Sequence, residues 1–334
     1  MASTYFGRNS YIMFDKVLSG DGAYGTTTTD FITSHALVST GLQRTIEKVA
    51  RPNLASSGGM RQTHFVAADN AGGDFVIEAN YNSMGLLLKH TLGAASTAAG
   101  TPNTHTYTLA DSLPDNGLTA TVIRGSGGTG ETFDGVRINS LTIACNAGEV
   151  MQITGDVIAE TSNVTTTDGS ETRAAAEAMD VTIADSPVLH HQGGTLGFDG
   201  LTLNIRSFSL TINNTLDRRQ FLGSSLTKEP MPTDFKSVEV TFEVDVDDAL
   251  YGKYVRGDVD TEATLTLNNS GAAGAEREMA FKFQNCYLSA CTDPVNSPGL
   301  LSQSITLTCQ SDGTDHGLSI AIKNQAADAE VPST

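Results

Sequence analysis

The two halves of this 334-residue chain repeat one pattern. In residues 75–81 apolar side chains occupy alternate positions, and a stretch with helical spacing follows and ends at Gly93. The same order returns in residues 240–246, and the stretch after it ends at Gly257. A repeat of this length predicts two similar modules side by side in one chain, and duplication of this kind builds symmetric assemblies.

The repeat extends in both directions from this strand. The further matches are residues 139–145 with 285–291, a closing strand around Ile153 with one around Leu307, and residues 41–47 with 205–212. Four matches in one order are hard to ascribe to chance. The main length difference falls between matched segments, in residues 94–117, as expected of a loop on a common scaffold.

The residue pattern favours β structure. Trp is absent and only 17% of the residues are charged. In residues 238–246 apolar positions alternate with mostly acidic ones, so one face of this strand is expected to be buried. The corresponding strand is expected to turn Asp74, Val76, Glu78, Asn80 and Asn82 outward. We predict an all-β fold with minor α content: two tandem β-sandwich or half-barrel modules, each with one short helix and a long loop.

Composition also sets the predicted boundaries. The predicted segments are an N-terminal arm (1–40), a first module (41–160), a linker (161–185) with a short helix at 171–179, a second module (186–323) and a flexible tail (324–334).

The charge balance argues against tight binding of nucleic acid. The net charge is −18, and acidic residues exceed basic ones in both halves, more strongly after residue 165. A protein that holds nucleic acid by neutralising phosphates needs clustered Lys and Arg. No apolar segment approaches the about 20 residues of a membrane span, and the N-terminus lacks the apolar core of a secretion signal. We therefore expect no membrane partner.

No motif predicts catalysis, a metal or a cofactor. The glycine-rich run at 125–130 lacks the Lys-Ser/Thr pair of a phosphate loop, and adjacent strand residues His190 and His191 point to opposite faces. We predict that the protein is not an enzyme and has no cofactor. The cysteines (Cys145, Cys286, Cys291 and Cys309) lie in strand-like runs. Buried free thiols in a reducing cytoplasm and a disulfide within the second half both remain open.

The opening of the chain resembles the major tail (tail tube) proteins of long-tailed bacteriophages. The resemblance lies in Gly7-Arg8-Asn9-Ser10-Tyr11-Ile12, in Tyr24-Gly25-Thr26, and in Gly41-Leu42-Gln43-Arg44-Thr45 before Arg51-Pro52. The two predicted modules, each with strands, a long loop and one short helix, also look like tail tube domains, so the resemblance covers nearly the whole chain. It implies two tandem tube-type β domains in a structural virion protein. In that family single-domain subunits form hexameric rings around a channel, and the long loop and the arm contact the next ring.

The resemblance also implies a location and partners. It places the protein in the virion tail, assembled in the cytoplasm of the bacterial host. The implied partners are further copies of the chain and other tail proteins such as the tape measure and terminator proteins. DNA is expected to pass through the channel without tight binding.

The duplication turns the hexameric ring into a specific hypothesis. Three chains with six modules would form a pseudo-sixfold ring, which closes the exposed sheet edges. A channel that passes DNA should repel phosphates, so we expect some of four acidic residues to face it: Glu78, Glu239, Glu243 and Asp245. Exposure to the outer solvent is the alternative for these side chains. Residues 55–72 and 223–235, with the arm, are the candidate contacts between rings.

A function from a different class also fits two β modules. The chain is alternatively a two-domain β-sandwich binding protein, either an adhesin or a carbohydrate-binding protein. Such proteins present exposed aromatic platforms, and the absence of Trp argues against this interpretation.

Overall fold

The computed structural model describes most of the chain. The described residues are 10–17, 24–26, 32–50, 64–114, 117–124, 130–164, 195–198, 201–246, 248–257, 261–269, 277–292, 301–311, 317–326 and 328–329. The glycine run at 125–129, the helix expected at 171–179, His190 and His191 lie outside them.

The first half contains ten strands and one helix within the described residues. They are β1 (Tyr11–Lys16), β2 (Thr33–Thr40), β3 (Gln43–Ala50), β4 (His64–Glu78), α1 (Gly85–Leu92), β5 (Gly93–Ala98), β6 (Asn103–Leu109), β7 (Leu118–Ile123), β8 (Gly130–Asn146), β9 (Gln152–Ala159) and β10 (Thr161–Val164).

The described part of the second half contains the remaining elements. They are β11 (Thr195–Phe198), β12 (Leu201–Leu203), β13 (Ile205–Asn213), β14 (Leu216–Arg219), β15 (Lys228–Pro232), β16 (Ser237–Asp245), α2 (Asp248–Arg256), β17 (Thr261–Asn269), β18 (Arg277–Cys291), β19 (Ser302–Cys309) and β20 (Leu318–Asn324). The predicted all-β fold with minor α content is confirmed.

The two halves repeat one order of strand pairing. In the first half, β2 and β3 pair with β4, β4 with β9, and β9 with β8. In the second half, β13 pairs with β16, β16 with β19, and β19 with β18. The long strands β8 and β18 then continue into a second sheet, where β8 pairs with β7 and β10, and β18 pairs with β17 and β20. The repeat in the sequence therefore corresponds to a repeat in topology.

Both helices occupy the same place in this order and end in the same way. α1 follows β4, and α2 follows β16. Gly93 and Gly257 come directly after them with φ angles of 111° and 69°. Positive φ favours glycine, because a side chain would clash with the backbone there.

Aromatic side chains join the two sheets in each module. In the first module, the rings of Phe14 on β1 and Phe75 on β4 lie 5.4 Å apart. In the second, Phe242 on β16 lies 5.9 Å from Phe283 on β18. All four side chains are buried. In each module, such a contact holds the two sheets at a fixed spacing.

The two modules are joined by strand pairs in which each partner comes from a different module. β13 of the second module pairs with β8 of the first, over Ser207–Asn213 and Ser140–Asn146. The hairpin β5–β6, which fills most of the long connection in residues 94–117, pairs with β20 of the second module. One hydrophobic core accordingly extends through both modules.

The structure differs from the predicted segments at both ends of the first module. Within the predicted arm, β1 pairs with β7, and β2 pairs with β1 and β4, so both strands are built into the first module. Thr161–Val164, predicted as linker, form β10 and pair with β8. Pairing with distant strands overrides the loop-like local composition of both segments.

The start of the predicted flexible tail is packed against the core. Asn324 is buried, and its Nδ2 donates to the carbonyl oxygen of Tyr81 at 2.9 Å. The hydroxyl of Tyr107 donates to the carbonyl oxygen of Ala329 at 2.6 Å. These contacts hold the described part of the tail on the first module.

Candidate functional site

One sheet of seven strands runs through both modules in the order β4, β9, β8, β13, β16, β19 and β18. Its inner row is apolar and fully or nearly fully buried. The row consists of Ile77, Ile153, Ile143, Leu210, Val240, Leu307 and Leu288. Because strand residues alternate between faces, their neighbours in sequence form the opposite face.

That opposite face, here called the polar sheet face, carries mainly short polar side chains. One row across the strands is Val76, Thr154, Thr142, Thr211, Glu239, Thr308 and Tyr287, and the next is Glu78, Gln152, Ala144, Ser209, Thr241, Thr306 and Ala290. The hydroxyls of Thr142 and Thr211 lie 3.2 Å apart and hydrogen-bond across the joint between the modules. The face is therefore continuous from one module to the other.

All four acidic residues singled out from the sequence lie on the polar sheet face. Glu78 and Glu239 are exposed, whereas Glu243 and Asp245 are partly buried. Arg206 Nη2 lies 2.8 Å from Asp245 Oδ1. This ion pair offsets part of the negative charge of Asp245.

This face carries two further acidic residues that were not among the four chosen from the sequence, and one of them, Asp156, was not identified at all. Asp74 on β4 and Asp156 on β9 lie directly opposite each other. Asn139 Nδ2 donates to Asp156 Oδ2 at 2.8 Å, which supports this carboxylate beside Asp74. Asp74 had been placed outward, but only the pairing of β4 with β9 brings it beside Asp156. Among the described residues, the charged side chains on or beside the polar sheet face include Asp74, Glu78, Asp156, Glu239, Glu243, Asp245, Arg206 and Arg218.

Each module also extends a hairpin from the same position in its sheet. In the first module, β3 and the start of β4 expose Ile46, Val49, Phe65 and Val66. In the second, the hairpin β14–β15 exposes Phe221 and Leu222 at its tip, the latter fully. These hairpins contain the described parts of the two loop segments, 55–72 and 223–235, that the sequence suggested as contacts between rings. Residues 55–63 lie outside the described residues.

The second hairpin packs on the first module of its own chain. Asp69 N donates to the carbonyl oxygen of Ser225 at 2.9 Å. Arg218 Nη1 donates to the carbonyl oxygen of Ala71 at 2.8 Å. One module thus reaches over its neighbour, in addition to sharing a sheet with it.

The side chains of the described residues form no metal-binding cluster. Nowhere among them do three or more His, Cys, Asp or Glu side chains converge as metal ligands. Neither described helix is long and apolar enough to cross a membrane. What these residues do present is an extended polar face, protruding hairpins and strand edges, which are features of an assembling protein.

Comparison with known protein families identifies the family to which the chain belongs. The sequence profile of the family described as phage tail tube protein matches residues 7–309. A comparison with curated proteins finds no match. The members of this family are structural components of the virion tail that assemble into a tube. Since the match spans most of its length, the chain belongs to the phage tail tube protein family.

Proposed function

We propose that three copies of the chain form a ring of six modules, and that stacked rings form a tube through which DNA passes into the host cell. The joint between β8 and β13 carries this proposal, because it shows how one module adds its sheet to the next. A ring needs the same joint between chains.

The two strand edges for such a joint are present on the chain. Tyr287–Cys291 of β18 correspond to the part of β8 that pairs with β13, and among the described residues they pair only with β19. At the other end of the sheet, Ser39 and Thr40 of β2 and all of β3 pair only with β4 within the described ranges. Joining these edges between chains repeats the internal joint and leaves no exposed edge in the closed ring.

The hairpins support the same arrangement. Because β14–β15 packs on the neighbouring module within the chain, the equivalent hairpin formed by β3 and the start of β4 would pack on the second module of the next chain. Its exposed apolar side chains, among them Phe65 and Val66, would then be covered. Burial of apolar surface stabilises such a contact by about 25 cal/mol per Å².

The polar sheet face would line the channel. Its acidic side chains, including Glu78, Glu239, Glu243 and Asp245, outnumber the described cations on and beside it, Arg206 and Arg218. Phosphates near such a wall are repelled, so DNA would slide without binding. The remaining side chains of this face are mainly short hydroxyls, which carry no positive charge that could bind the DNA phosphates. Assembly would take place in the host cytoplasm, with the tape measure and terminator proteins as further partners in the tail.

Microscopy of the purified protein tests the ring directly. We expect rings or tubes in negative stain, and threefold averages from cryo-electron microscopy that show six similar modules around a channel. The reason is that the edges at β18 and at β2 and β3 are covered when the β8–β13 type of pairing is repeated between chains. Rings with six chains would refute the stoichiometry. A protein that stays monomeric at high concentration would favour the two-domain binding protein instead.

Charge reversal tests the channel lining. In phage carrying Glu78→Lys and Glu243→Lys together, we expect DNA ejection to slow by roughly tenfold or more, because a wall with added cations attracts phosphates. The measurement is the time course of DNA release triggered in vitro. Glu262→Lys is the control, since Glu262 is exposed on β17 of the second sheet. Equal ejection rates in both variants and in the wild type would exclude the polar sheet face as the lining.

A further inference from the structure

Two of the four cysteines face each other across neighbouring strands. Cys286 on β18 is the direct partner of Cys309 on β19, and their sulfur atoms lie 2.7 Å apart. The neighbouring pair is hydrogen-bonded, with Gln310 N donating to the carbonyl oxygen of Asn285 at 3.2 Å. The cysteines therefore occupy a non-hydrogen-bonded position, where Cα atoms are about 4.5 Å apart, within the range of about 4.4–6.8 Å that disulfides span.

The sulfur atoms of the other two cysteines contact groups other than cysteine, and Gln303 Nε2 donates to Cys291 Sγ at 3.1 Å. Cys145 on β8 is opposite Phe208, and its sulfur contacts the carbonyl oxygens of Asn146 and Glu149 at 3.6 and 3.7 Å. Cys291 is opposite Ile305. Since all four cysteines lie in described strands, Cys286 and Cys309 are the only pair among them that is placed for a bond within the chain.

A cleft gives small molecules access to this pair. Its volume is about 380 Å³, and Cys309 lies in its wall together with Leu109, Asp111, Pro232, Phe235 and Gln310. Cys309 is partly buried, whereas Cys286 is fully buried behind it. A reagent in the cleft would therefore meet Cys309 first.

We propose that Cys286 and Cys309 form a reversible disulfide when the protein meets a small-molecule disulfide. The thiolate of Cys309 attacks one sulfur of the reagent and releases the other half as a thiol, which gives a mixed disulfide. The thiolate of Cys286 then attacks the sulfur of Cys309, and the second half leaves as a thiol. In sum, two protein thiols lose two electrons and two protons, and the reagent disulfide is reduced to two thiols.

The bond would fasten a strand that the ring depends on. Cys286 lies where β18 leaves the second sheet and enters the seven-stranded sheet, directly before the edge at Tyr287–Cys291. A covalent link to β19 at this point would keep the edge segment of β18 paired with β19. The disulfide itself does not require the tube, so its formation is tested independently of the proposed function.

Thiol titration after treatment with bis(2-hydroxyethyl) disulfide tests the proposal. The hydrogen bond with Cys286 and burial raise the pKa of Cys309, so the treatment is done at mildly alkaline pH. Of the four thiols counted in denaturant, we expect two to disappear. Peptide mapping of the wild type should yield one linked species that contains Cys286 and Cys309, at the mass of the two peptides less two hydrogen atoms.

Single variants identify the pair and the order of attack. Cys145→Ser and Cys291→Ser should each still lose two thiols. Cys286→Ser should stop at the mixed disulfide, with one reagent half bound to Cys309. Four reactive thiols in the treated wild type, a linked peptide containing Cys145 or Cys291, or a bond between chains would each overturn the proposal. Mapping of the wild type decides the matter even where a variant fails to fold.

Discussion

Replacing Phe221 and Leu222 with serine should prevent the rings from stacking while leaving the subunit folded. Leu222 is fully exposed and 55% of Phe221 is accessible, with the Arg219 guanidinium 5.9 Å from the centre of its ring, so the free subunit gains little from these side chains. At an interface each apolar side chain of this size stabilises by roughly 1.5–3 kcal/mol when fully buried. A loss of about 3 kcal/mol per subunit raises the concentration needed for polymerisation more than a hundredfold. Sedimentation of tubes at increasing protein concentration measures this threshold concentration.

The matched control removes exposed apolar surface elsewhere. Val164, at the end of β10, is 59% exposed and belongs to the second sheet. Val164→Ser should polymerise like the wild type. Both variants should keep the thermal unfolding midpoint of the wild-type subunit. Normal tubes from the Phe221/Leu222 variant would show that the hairpin β14–β15 does not contact the next ring.

Local patterns predicted those parts of the fold where one face of a strand is buried. The alternation in residues 238–246 placed Val238, Val240, Phe242 and Val244 inward, and all four are buried in β16. The four acidic residues chosen from such patterns share one face for the same reason. Alternation predicts on which face of the sheet a side chain lies. It does not predict whether that face contacts another subunit, the channel or the outer solvent.

Prediction failed where distant pairing decides the structure. Ile12, Met13 and Phe14 are buried in succession in β1, so this strand shows no alternation, and the Gly- and Thr-rich composition of residues 1–40 predicted an arm instead. Its partner β7 lies more than a hundred residues away, which no local pattern reveals. Asn80 and Asn82 were expected to point outward and are buried. The chain leaves the strand after Glu78, and Asn82 N donates to Asn80 Oδ1 at 2.9 Å in the turn that follows.

The joint between the modules depends on contacts that sequence reasoning did not identify. Asn139 at the bend of β8 accepts a hydrogen bond from Leu216 N through its side chain at 2.9 Å, and from Asn214 N through its carbonyl at 2.8 Å. Asn214, directly after β13, is completely buried. Asparagine at such positions reads as a turn residue from sequence alone. Only the pairing of β8 with β13 shows that it joins two modules.

Asn214→Ala should therefore destabilise the free subunit by about 2–4 kcal/mol. Asn214 Nδ2 donates to the carbonyl oxygens of Thr91 at 3.2 Å and Ile138 at 2.9 Å, which belong to α1 and β8 of the first module. Alanine leaves both acceptors buried without this donor, at about 1–3 kcal/mol for each group. Urea unfolding of the subunit measures the loss.

Two further variants separate this hydrogen-bonding role from general damage to β13. Asn214→Asp keeps the size of the side chain but turns carboxylate oxygens toward the two carbonyls, so it should cost at least as much as alanine. Ser209→Ala, on the polar sheet face of the same strand, should change stability by no more than about 0.5 kcal/mol. If Asn214→Ala were as mild as Ser209→Ala, the joint would rest on strand pairing alone. The edge between chains would then need no equivalent of Asn214, and its strength would follow from backbone hydrogen bonds around the ring.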